Sequence, residues 1–143
     1  MILVSACLVG LNTKYNGKNN YNEKIFELVK SGKAIPLCPE QLGGLSTPRI
    51  PTEIKYIDGK RCVYNKEGKD VTKEFEKGAN EVLDFVKKMH IDKAILQSRS
   101  PSCGVGKIYN GEFTDKLIDG NGILADILLE NGVEVININD FKG

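Results

Sequence analysis

The sequence has a single histidine, His90, so any metal site or proton-transfer centre must be built from other side chains. Neither sign of charge dominates. Twenty basic residues against nineteen acidic ones leave a net charge of +1, without the basic footprint of a nucleic-acid-binding surface. No apolar run approaches the ~20 residues needed to cross a bilayer. The paired C-x2–4-C spacing that marks structural zinc is also missing, although the chain holds four cysteines. Met1–Cys7 lacks a basic n-region and reads as a strand, not a leader, so a cytoplasmic location is expected. In that compartment cysteines serve as thiols or metal ligands more often than as disulfides. The 143 residues suit one domain, and a chain of this length buries enough surface to fold without cross-links.

What is present is an alternation of two periodicities. Short apolar runs at Ile2–Ala6, Ala34–Leu37, Lys93–Gln97 and Val133–Ile138 predict strands. Between them, helical spacing predicts helices over about 22–31, 72–89 and 123–130, with Gly32 closing the first and Asp70 or Thr72 capping the second. Strands alternating with helices imply parallel βαβ units with right-handed crossovers. Asp58-Gly59 and Asn110-Gly111 predict two tight hairpins, the second joining Lys107–Tyr109 to Glu112–Phe113. The expected fold is α/β: a single-domain, mostly parallel sheet with flanking helices, Rossmann-like, plus small β-hairpins.

Cys7, Cys38 and Cys103 each follow a predicted strand. Open parallel sheets bind ligands outside the carboxyl ends of their strands, so three thiols distant in sequence can meet at one edge of the fold. Soft thiolates suit zinc, copper(I) or iron–sulfur clusters, and three cysteines on a cubane leave one iron open. Cys62 falls in a predicted hairpin and reads as a small apolar strand residue. Beside the three thiols stand Glu40, Ser5, Ser100 and Ser102. A carboxylate can act as general base, and hydroxyls can orient a substrate or relay a proton. On residues alone the site is a soft-metal centre with a base beside it. Metal-free redox thiols and buried structural cysteines remain open alternatives.

Several segments together resemble the thiouracil desulfurase family. They are Val4-Ser5-Ala6-Cys7-Leu8-Val9-Gly10, Cys38-Pro39-Glu40-Gln41-Leu42-Gly43-Gly44-Leu45, Thr47-Pro48-Arg49 and Ser98-Arg99-Ser100-Pro101-Ser102-Cys103-Gly104. Asp70-Val71-Thr72, Gly78-Ala79 and Ile108-Tyr109 also match, whereas Ser46 and Asn110 depart from the family's proline and acidic residue. The resemblance implies one desulfurase-like domain over 1–143, with a 4Fe-4S cluster on Cys7, Cys38 and Cys103. It further implies catalysis by Glu40 and a serine, Ser100 or Ser102. Ser5, Arg49 and Arg99 are expected to bind substrate. The implied reaction converts a thio-substituted pyrimidine to its oxo form and releases sulfide without net redox change. A cluster-holding sulfur carrier or redox sensor, and a desulfurase acting on thiolated tRNA, are the rival expectations.

Overall fold

A computed structural model describes all residues, Met1–Gly143. Its centre is a four-stranded parallel sheet in the order β2-β1-β5-β8. The strands are β1 (Ile2–Ser5), β2 (Ala34–Leu37), β5 (Lys93–Leu96) and β8 (Glu134–Asn137). β1 and β5 are buried almost throughout, as expected of inner strands covered on both faces. Pro36 sits in β2, an edge strand, where its missing N–H breaks no ladder.

The helices cover the two faces. α1 (Glu23–Lys30) is capped by Asn22, whose side chain accepts the Ile25 N–H. Its buried Ile25 packs with Val4, Leu8, Ala34 and Ile95 on one face of the sheet. On the other face α3 (Thr72–Lys88) and α4 (Ile123–Glu130) bury Phe75, Val82, Leu124 and Leu128 against Leu3, Ala94 and Leu96. Asp70 accepts hydrogen bonds from the Thr72 backbone N–H and hydroxyl just ahead of α3. Those bonds hold the Asp70 carboxyl below its ordinary range. Neither of the expected residues, Asp70 and Thr72, is the N-cap of α3; that position is Val71, which makes no side-chain cap bond. No helix is long and apolar enough to cross a membrane.

Two antiparallel pairs are attached to this core. β3 (Thr52–Ile57) and β4 (Lys60–Asn65) turn at Asp58-Gly59, both at positive φ, as the sequence predicts. Cys62 lies half-buried on β4 opposite Lys55. The second hairpin differs from expectation. β6 (Lys107–Tyr109) pairs with β7 (Leu117–Asp119), not with Glu112–Phe113, so the connection is a loop over 110–116. Asn110 N donates to Lys116 O to close that loop. The two-residue turn fails because the Gly111 and Phe113 amides are drawn to Glu53 Oε1, at 2.9 and 3.2 Å. A short helix, α2 (Pro39–Leu42), was not expected; four residues starting at a proline show no periodicity.

The chain passes from β1 to β2 on one side and returns to β5 on the other. The reversal makes the carboxyl ends of β1 and β5 a topological switch point, where a crevice opens between neighbouring connections.

Candidate active site

At that crevice lies a cavity of about 560 Å³. Cys7, in a 3-10 turn directly after β1, lines it from one strand end. Cys38 follows β2 at the start of α2, and Cys103 follows β5 through the Ser98–Ser102 segment. The three strand-end thiols therefore converge on one cavity, as the topology requires. All are free thiols, and Cys62 does not line the cavity.

Burial pushes the Cys7 thiol up to about 11, against a smaller opposing effect from its contact with the Asn20 amide, 3.8 Å away. Burial raises Cys38 as well, and raises fully buried Cys103 further. Mutual repulsion contributes: Cys7 and Cys38 raise Cys103, and Glu40 raises all three. Three sulfurs and a carboxylate crowded around one cavity are poor company as anions. A cationic group bound between them removes that penalty. No three His, Cys, Asp or Glu side chains are gathered closely enough to hold one metal ion. A cubane cluster places each thiolate on a different iron, so its ligands stand farther apart than those of a single ion. Three soft donors spread round a roomy cavity fit such a cluster and not a lone ion.

The polar groups form one connected network beside the thiols. Glu40 follows Pro39 in the first turn of α2 and is only 14% exposed. Its Oε1 lies 3.3 Å from Arg49 Nε, and its Oε2 accepts the Ser102 hydroxyl at 2.9 Å. Ser102 Oγ is in turn 2.9 Å from Ser100 Oγ. A serine hydroxyl carries one hydrogen, so with that of Ser102 directed at Glu40, Ser100 is the donor of the second contact. Ser100 Oγ also accepts the backbone N–H groups of Ser102 and Cys103, each at 3.0 Å. Ser100 and Glu40 both line the cavity whereas Ser102 is 1% exposed, so the buried Ser102 hydroxyl bridges two groups of the cavity wall.

Such a site combines three elements: soft donors, a carboxylate and a hydroxyl chain leading to it. Over this geometry the 2-thiouracil desulfurase family model matches residues 2–140. The chain belongs to the 2-thiouracil desulfurase family. The uncharacterized protein YbbK of Bacillus subtilis (strain 168) is 43% identical over 148 residues, spanning 99% of this chain and 98% of the relative. A solved structure titled 4Fe-4S-dependent thiouracil desulfidase TudS is similar at TM-score 0.90 and 37% identity, over 98% of this chain and 91% of that one. The fold of this desulfurase-family chain is thus also the fold of that enzyme.

The remaining expected residues divide. Arg99 lines the cavity from an exposed position at φ 64, where its backbone bridges to Ile108. Arg49 also lines it, yet its side chain is 7% exposed and its donors go to Glu40, Thr13 O, Ser46 O and Thr47 Oγ1. The guanidinium is committed to the protein, and what it holds is Glu40. Ser5 is buried, with its hydroxyl accepting the Gln97 N–H at 2.9 Å, and it lines the cavity beside the thiols. Sequence reasoning missed Asn20, held by Lys14 Nζ at 3.1 Å and bonded to Cys7, and also missed Glu53, Tyr109 and Phe113 of the cavity wall. No spacing marks these residues; Asn20 and Phe113 are brought in by loops, Tyr109 by β6 and Glu53 by the β3–β4 hairpin.

Proposed function

We propose that this chain is a hydrolytic desulfurase for a 2-thiouracil-like pyrimidine, with the 4Fe-4S cluster on Cys7, Cys38 and Cys103. The observation that carries the reading is the convergence of those thiols with Glu40 on one cavity in a chain of the 2-thiouracil desulfurase family. When bound, the cluster supplies an iron without a protein ligand, a soft Lewis acid for a thiocarbonyl sulfur.

The chain's own residues supply the proton chemistry. Glu40 accepts a proton from water as the water oxygen bonds to the thiocarbonyl carbon. As the C–S bond breaks, the added oxygen gives up its second proton to become the carbonyl. The sulfur departs as hydrogen sulfide or hydrosulfide, taking up the proton that Glu40 returns, so atoms balance and no electrons are gained or lost overall. Arg49 fixes the carboxylate through Oε1, leaving Oε2 to the serines. Ser100 meets the cavity, and Ser102 links it to Glu40, giving a path for protons between substrate and base. Ser5 lines the cavity wall at the end of β1, and Arg99 reaches the substrate's oxygen from the solvent-exposed side of the cavity. A cavity of about 560 Å³ is the size of a small-molecule site, and the net charge of +1 offers no general attraction for tRNA.

The test is anaerobic reconstitution followed by iron, sulfide and turnover analysis with 2-thiouracil. Cluster uptake lost in Cys103→Ala, with uracil and sulfide formed in equal amounts by the wild type, is the expected result. A stable cluster without turnover of any thiopyrimidine would leave a carrier or sensor in place of an enzyme.

A further inference from the structure

The desulfurase network leaves one buried carboxylate unused. Glu53, on β3, is 8% exposed and lines the same cavity as the thiols. Its Oε1 accepts two backbone amides from the 110–116 loop, Gly111 at 2.9 Å and Phe113 at 3.2 Å. Gly111 has φ 88, and a Cβ there would lie 2.5 Å from Ile54 O, so the loop is pressed against β3 as closely as glycine allows. Phe113 has φ 56, in the left-handed region that bulky side chains rarely adopt. A backbone held there by outside hydrogen bonds points to a functional placement of its side chain. The Phe113 side chain is half-buried and lines the cavity, with Tyr109 at the base of the same loop.

We propose that Phe113 is a substrate-positioning side chain, its ring stacking on the face of the pyrimidine, and that Glu53 is the latch that holds it there. The substrate assigned to Phe113 rests on the desulfurase reading; the latch does not. The edge of a thiopyrimidine ring offers N–H donors and a carbonyl acceptor, while its two faces are apolar. Stacking on an aromatic side chain is the usual means of holding those faces. Glu53 acts through the loop and touches no reacting atom.

The experiment pairs Glu53→Ala with Phe113→Ala, and with Glu53→Gln, whose amide oxygen still accepts both backbone N–H groups. In metal-free protein, hydrogen exchange at the Gly111 and Phe113 amides should speed up at least tenfold in Glu53→Ala and largely recover in Glu53→Gln. In the reconstituted enzyme, Phe113→Ala should raise KM for 2-thiouracil roughly tenfold, with kcat and iron content changed far less. Glu53→Ala should raise KM similarly, and the double variant no more than Phe113→Ala alone, because both remove one interaction. Unchanged exchange overturns the latch. An unchanged KM in Phe113→Ala overturns the stacking role, and additive effects in the double variant overturn the claim that Glu53 acts through Phe113. A wild type that binds the cluster without turning over thiouracil removes the desulfurase reading and the substrate assigned to Phe113, while the exchange result still decides the latch.

Discussion

Gly43 and Gly78 meet backbone to backbone where α2 crosses α3. A Cβ on Gly78 would lie 1.8 Å from Pro39 O, and one on Gly43 would lie 1.9 Å from Glu74 O. Neither atom belongs to a flexible side chain, so any larger residue forces the two helices apart. α2 carries Glu40 and begins at Cys38, which makes this crossing the support of the active site. Gly78→Ala should therefore lower the stability of metal-free protein by at least about 1–3 kcal/mol, the usual cost of overpacking. It should also reduce iron uptake. Thermal melts and iron analysis read the two effects separately.

Glu40→Gln keeps the shape of the side chain and removes the carboxylate proposed as base. Iron and sulfide content should match wild type, while kcat falls by roughly 10²–10⁴-fold, the usual contribution of general-base catalysis. Near-wild-type kcat would take Glu40 out of the mechanism.

The two serines separate by what each holds. Ser100→Ala strands the amides of Ser102 and Cys103 and should cost about 1–3 kcal/mol of stability. Ser102→Ala leaves those amides satisfied but cuts the link from Ser100 to Glu40. It should lower kcat with a smaller loss of stability. Equal melting temperatures for the two variants would contradict this division of labour.

The buried thiols give the metal-free protein a distinct pH response. Cys7 rises from 9.0 to about 11 in the fold, so the folded state keeps its proton where the unfolded state loses it. The resulting stability is fully present below pH 9 and is lost as pH rises through about 11. Melting temperatures of metal-free wild type should drop across that window, and less steeply in Cys7→Ala. Cluster loading runs the other way, since binding thiolates releases protons, and should become easier with rising pH.

The strand ends were legible because β1 and β5 are inner parallel strands, with apolar runs that end abruptly at polar residues. Convergence of Cys7, Cys38 and Cys103 further required β1, β2 and β5 to be neighbours, which the sheet order shows and the sequence does not. Side-chain commitments were not legible. Arg49 reads as a substrate-binding cation or a salt-bridge partner, yet Glu40, Ser46, Thr47 and, from a distant loop, Thr13 take its donors. The Asn110-Gly111 turn signal was overridden for a similar reason: Glu53, 58 positions from Gly111, competes for its backbone. In the sequence Glu53 is one acid among nineteen, and only burial sets it apart.

The spread of the three thiols along the chain also sets an order of events during synthesis. Cys7 and Cys38 leave the ribosome with their strands, but β1 lacks its inner neighbour until β5 has been made. Cys103 follows later still, so a nascent chain offers two ligands on a half-built sheet for a large part of its translation. Two thiols at an incomplete edge can capture stray soft metals or oxidise. The three-thiol edge therefore exists only in the finished fold, once β5 has joined β1 and Cys103 has reached the cavity that Cys7 and Cys38 already line.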